Sequence, residues 1–187
     1  MNYQKYIDKY YPDDNELRRL LIHHSRQVAE RALSVCDAMP QLGLDRELVE
    51  AGSMVHDIGI FLCDAPGIHC FGSAHYLYHG VLGARLMRSE GEEALARICE
   101  RHTGTGLTAE NFTRRGLEAP EGILMIPQTL EEQLICYADK FFSKSHPERT
   151  RTVEQTAESL RKYGPDGVEK FWHWAKLFEN FERKTQK

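Results

Sequence analysis

The apolar residues of this chain repeat with the period of a helix, and no stretch alternates long enough to make a half-buried strand. The clearest case is NELRRLLIHHSRQVAERALSV, residues 15–35. There Leu17, Leu20, Leu21, His24, Val28, Ala32 and Val35 fall at spacings of three and four. They form one stripe of a long helix, which Asp13 or Asp14 can cap and which Pro40 and Gly43 close. DRELVEAGSMVHDIG predicts a second helix ending near Gly59, followed by a loop through DAPGIHCFGSA. HYLYHGVLGARLMR and EEALARICERH predict two more, broken at Gly91. Residues 103–128 carry little periodicity beyond a short helix at TAENFTRRG. TLEEQLICYADKFFSK opens with a capping box, Thr129 with Glu132 three residues on. TVEQTAESLRKYG and PDGVEKFWHWAKLFENFERK complete an all-α chain, the last with Pro165 in its first turn.

A length of 187 residues suits one domain with a substantial core. The expected arrangement is a single domain over 1–187, with core motifs at about 20–145 and C-terminal helices at 152–184 packed on them. No apolar run approaches the roughly 18 residues of a membrane span, and the N-terminus has no signal-like apolar region. Five cysteines without a CxxC pair read as reduced thiols, not as a disulfide framework or a thiolate zinc site, and imply a cytoplasmic protein. A net charge of −4 argues against extended nucleic-acid binding while leaving a local basic pocket open.

Against this background the stretch MVHDIGIF, residues 54–61, is anomalous, because it puts a carboxylate into a run fit for a core. Burying an ionised carboxylate costs several kcal/mol unless something compensates it. His24 interrupts the stripe of its own helix; His79 precedes Leu82, Gly83 and Leu86; His102 continues Leu95, Ile98 and Cys99; Asp139 shares a face with Ile135, Ala138 and Phe142. A single histidine on an apolar stripe is more often a hydrogen-bonded core residue than a ligand. Here the anomaly recurs in five helices, with no basic partner in the stripes themselves. A central cluster of cations answers all six cases together. His23, His69, His75, His146 and His173 fall outside that pattern, His69 and His75 being candidates only for a pocket.

In this order, HHS, HDIG, YHGVLGA, ERHTG and CYADK, the chain resembles the HD superfamily of metal-dependent phosphohydrolases from about His24 to Lys144. The resemblance implies an HD-domain helical bundle with a minimal site of His24, His56, Asp57 and Asp139. It further implies that His79 and His102 hold a second ion, with Asp57 as the bridge and with Asp57 and His56 at the catalytic core. The donors are all N or O, which suits iron, manganese, zinc, nickel or magnesium. Many such proteins carry Lys directly after HDIG, where this chain has Ile60, and the GYP of cyclic-di-GMP phosphodiesterases is missing.

Two ions about 3.5–4 Å apart can activate water and clamp phosphoryl oxygens. The expected activity is hydrolysis of a phosphomonoester or phosphodiester of a small phosphorylated substrate, a nucleotide foremost. Arg101, Lys140 and Lys144 are candidates for phosphate contact, and residues 103–128 could cover the substrate. Two rivals share the ligand set: a mixed-valence di-iron oxygenase, and a non-catalytic module that senses a nucleotide.

Overall fold

Helix α2, Glu16–Ala38, runs through the centre of the computed structural model, which describes residues 1–161 and 165–181. Its buried face carries Leu21, His24, Val28, Ala32 and Val35 of the stripe read from the sequence, together with Ser25 and Ala29, while Leu17 and Leu20 are half-buried. Its cap is Asn15, whose side chain accepts from the Arg18 amide, so neither Asp13 nor Asp14 takes that role. Ahead of it stands an unexpected helix α1, Gln4–Tyr10; just past its end, the Tyr11 hydroxyl donates to the Ile58 carbonyl.

Against α2 lie α3, Arg46–Val55, and α7, Leu130–Asp139, while α4, His79–Ser89, pairs with α5, Glu93–Arg101. Gly52 lets α3 approach both α5 and α7, since a Cβ there would lie 2.5 Å from Ile98 Cδ1 and 2.8 Å from Ile135 Cδ1. Between α4 and α5, Gly91 sits at φ +80° and breaks the chain as expected. The short α6, Ala109–Thr113, lies in the irregular segment before α7, whose Thr129–Glu132 capping box forms as expected. Helices α8, Val153–Leu160, and α9, Pro165–Glu179, close the fold, and the indole N–H of Trp174 donates to Gln133 Oε1 on α7. The expected extensions of these two helices to residues 162–164 and 182–184 lie outside the described residues. One buried apolar cluster runs from Tyr6 to Phe178, tying both ends of the described chain to the same core.

Two further expectations change. Helix α3 stops at Val55 rather than near Gly59, because the Ile58 and Ile60 amides bond three residues back, to Val55 and Asp57, and tighten the chain into turns. The loop after it contains a three-stranded sheet in the order β2-β1-β3. In it β1, Cys63–Ala65, pairs antiparallel with β2, Cys70–Phe71, and parallel with β3, Ala74–His75. Strands of two or three residues are too short for alternation to register in a sequence. Among the described residues no helix is long and apolar enough to cross a membrane.

Candidate metal centre

All six expected donors converge where α2, α3, α4, α5 and α7 meet. His24 comes from mid-α2, His56 and Asp57 from the turn closing α3, His79 from the first residue of α4, His102 from the end of α5, and Asp139 from the last residue of α7. Every one is buried. Their atoms divide into two groups, His24–His56–Asp57–Asp139 and Asp57–His79–His102, with Asp57 in both.

The sharing is atomic. Asp57 Oδ2 faces the first group, 3.3 Å from His24 Nε2 and 3.1 Å from His56 Nε2. Asp57 Oδ1 faces the second, 3.4 Å from His79 Nε2 and 3.4 Å from His102 Nε2. Asp139 Oδ1 completes the first group, 2.9 Å from His24 Nε2 and 3.5 Å from His56 Nε2. Separations of this size are what donors held about 2.1 Å from a common ion make with one another.

The tautomers follow from the backbone. His56, His79 and His102 each place Nδ1 2.7 Å from the carbonyl three residues back, on Ser53, Tyr76 and Cys99. A carbonyl can only accept, so Nδ1 carries the proton, and in each neutral ring the Nε2 lone pair is turned inward. His79 Nε2 then stands 3.0 Å from His102 Nε2, two lone pairs face to face unless a cation lies between them. Neither oxygen of Asp57 makes a hydrogen bond of good geometry among the described residues. The donor set therefore fits divalent cations. Cys99 and Cys136 take no part, their thiols donating to the carbonyls of Val55 and His102.

Electrostatics agree. Burial would raise the Asp57 carboxyl, but the Lys144 ammonium and His56 hold it well below the usual carboxylate range. Burial likewise opposes ionisation of Asp139, and Lys140 with His24 and His56 reverses it. Burial drives His79 down to about 3 and also lowers His102, keeping both neutral as ligands must be. Burial disfavours a charged His56 too, yet Asp57 and Asp139 lift it to about 9 among the side chains alone.

The three cations singled out from the sequence separate here. Lys144 Nζ lies 2.5 Å from Asp57 Oδ2. Lys140 Nζ lies 2.5 Å from Asp139 Oδ2 and donates to the His102 carbonyl at 3.2 Å. Arg101 turns away: its Nη1 is 3.0 Å from both oxygens of buried Glu132, and its Nε donates to the Leu124 carbonyl. His23, His69, His75, His146 and His173 all lie on the surface, outside the cluster. Two neighbours were not singled out from the sequence. Thr103 Oγ1 is 3.4 Å from His79 Nε2, and the Tyr76 ring stacks on His79 at 4.6 Å. Position was the only signal for either, next to His102 and three residues before His79.

Comparison with known proteins bears on the family and the fold. The HD domain family model matches residues 21–143. An uncharacterised protein of Methanocaldococcus jannaschii is 32% identical over 149 residues, 78% of this chain and 80% of that one. A tRNA (cytidine(56)-2'-O)-methyltransferase of Picrophilus torridus is 30% identical over 76% of this chain, and the chain spans only 40% of its length. The HD domain of the L. monocytogenes phosphodiesterase PgpH superposes with a TM-score of 0.55 at 20% identity, covering 99% of this chain and 90% of that one. Its complex with cyclic-di-AMP gives 0.54 at 18% identity, covering 100% of each chain. At these identities the likeness to PgpH shows the fold alone.

Proposed function

This chain belongs to the HD domain family, and from that premise we propose that it is a metal-dependent phosphoric ester hydrolase with a dinuclear centre. The observation that carries the reading is that Asp57 turns one oxygen to each donor group. A carboxylate so placed bridges two positions, and His24, His56 and Asp139 would hold one ion while His79 and His102 hold the other. When bound, the ions supply Lewis acidity and an acidified water.

Hydrolysis exchanges the ester P–O bond for a bond to the oxygen of water, and the alcohol leaves with a proton from that water. The chain's part is to hold the reacting groups and balance charge. Asp57 and His56 sit at the catalytic core. Lys144 and Lys140 bring two ammonium groups to the same carboxylates, and turned toward a phosphoryl group they would neutralise its oxygens. Arg101 is committed to Glu132 and serves the fold. A small nucleotide is the substrate class we favour; the complex of a protein of the same fold with cyclic-di-AMP supports it.

The test is metal content of the purified protein together with turnover of a phosphoester panel, run in air and without oxygen. Phosphate release independent of oxygen is expected. Turnover that requires oxygen would move the protein to the di-iron oxygenases, and nucleotide binding without turnover would make it a sensor.

A further inference from the structure

A cavity of about 540 Å³ opens beside the second donor group, within the roughly 300–1,000 Å³ typical of small-ligand sites. At its inner end are His79 and Thr103, which touch through the 3.4 Å contact between Thr103 Oγ1 and His79 Nε2. One wall is the main chain of residues 103–108, where Gly104 and Gly106 take φ of +63° and +103°. That loop is fixed from behind, since the Leu107 amide donates to the Met125 carbonyl and a Cβ on Gly106 would come within 3.2 Å of Ile126 Cα.

The outer walls carry charge. Arg114 is paired with Glu110 at 2.5 Å, and Asp166 sits in the first turn of α9, where the helix dipole favours a carboxylate. Two other cations differ. Arg115 donates to the Asn111 carbonyl at 2.8 Å, and Lys170 on α9 donates to the Thr105 carbonyl at 3.0 Å. Among the described residues neither has a carboxylate within the 4.0 Å of an ion pair. Main-chain carbonyls orient these two groups without neutralising them. An ester held at the metal centre through one phosphate would run its alcohol portion along residues 103–108 and end between them.

We infer that the cavity seats the leaving-group side of the substrate, and that this side carries a second anionic group held by Arg115 and Lys170. The inference rests on the hydrolase reading and narrows its substrate class to small phosphoesters with a second, non-reacting phosphate. Charge-assisted contacts of this kind are worth about tenfold in affinity each when partly shielded, and less as salt rises.

The test compares adenosine 5'-monophosphate with adenosine 3',5'-bisphosphate, and fructose 6-phosphate with fructose 1,6-bisphosphate. Binding by calorimetry to chelator-treated protein is measured beside kcat/KM for the metal-loaded protein. A preference of about tenfold or more for the bisphosphate is expected in at least one pair, at low salt. The ratio should fall toward one in Arg115→Gln and Lys170→Gln, but persist in Arg149→Gln, an exposed cation that does not line the cavity. Binding preference with no turnover would sink the hydrolase reading and leave this site standing. Turnover with no preference in either pair, or a ratio unmoved by both substitutions, would overturn the inference and leave the hydrolase.

Discussion

Gly59 and Gly83 meet backbone to backbone: a Cβ on Gly59 would lie 2.4 Å from the Gly83 amide nitrogen and 2.4 Å from the His79 carbonyl oxygen. The last residue of HDIG is thus a spacer. It lets the turn that carries His56 and Asp57 rest directly on the first turn of α4, which carries His79. Gly59→Ala forces backbone apart, where no flexible side chain can yield. We expect a loss of about 3 kcal/mol, at the upper end of overpacking effects, read as a lower urea midpoint. Metal content should fall with it, first at the position of His79 and His102. A variant of unchanged midpoint would show that the two turns separate freely.

Occupancy is expected to approach two metals per chain by elemental analysis. His79→Ala and His102→Ala should each fall toward one, because each leaves the four-residue group intact. Equal content in all three proteins would return both histidines to the core as ordinary hydrogen-bonded residues.

Asp57→Ala should abolish phosphoester hydrolysis by several orders of magnitude while far-ultraviolet circular dichroism stays helical, since the substitution removes an oxygen from each group. Retained turnover in the folded variant would remove the two-ion mechanism.

Lys144→Met and Arg101→Met should part company. Loss of an ammonium beside the transferred phosphoryl group lowers kcat/KM by roughly a hundredfold. The stability of the metal-loaded protein should change little, because bound ions would replace Lys144 as the partner of Asp57. Arg101→Met instead leaves buried Glu132 with the Gln128 and Thr129 amides and the more distant guanidinium of Arg97, 3.7 Å away. It should cost about 3 kcal/mol of stability, as breaking a buried pair does, with a far smaller effect on turnover. Equal losses of kcat/KM in both would restore Arg101 to the phosphate.

Chelation should lower the thermal midpoint and addition of a divalent ion restore it, because ions that bind only the folded chain stabilise it by mass action. A midpoint indifferent to both treatments would mean that the cluster holds its shape without them.

The donor cluster was legible because polar residues on apolar helical stripes cannot be explained singly, and His24, His79, His102 and Asp139 each broke such a stripe. What the sequence hid depends on partners distant in the chain or on very short elements. Arg101 reads as a cation beside His102, and only the fold shows Glu132, thirty-one residues on, taking its charge. The end of α3 was placed too late because HDIG continues the helical pattern, whereas the i−3 bonds of Ile58 and Ile60 decide the backbone. Asn15 displaced the two aspartates as the cap by one or two positions, a shift that several adjacent acceptors make invisible. The cavity behind Thr103 brings α9 against a loop sixty residues earlier, and no local pattern encodes that.

The donor set also fixes a balance of charge. In the centre proposed above, two carboxylates and four imidazoles acting as neutral ligands would bring two negative charges to two dications. A filled centre would keep two positive charges in excess, before Lys140 and Lys144 are counted. Such a centre is an anion trap. Orthophosphate left behind by one turnover would be held by the same excess that drew in the ester, so escape of product rather than bond cleavage would set the pace. Sulfate, fluoride and phosphate itself would then act as competitive inhibitors.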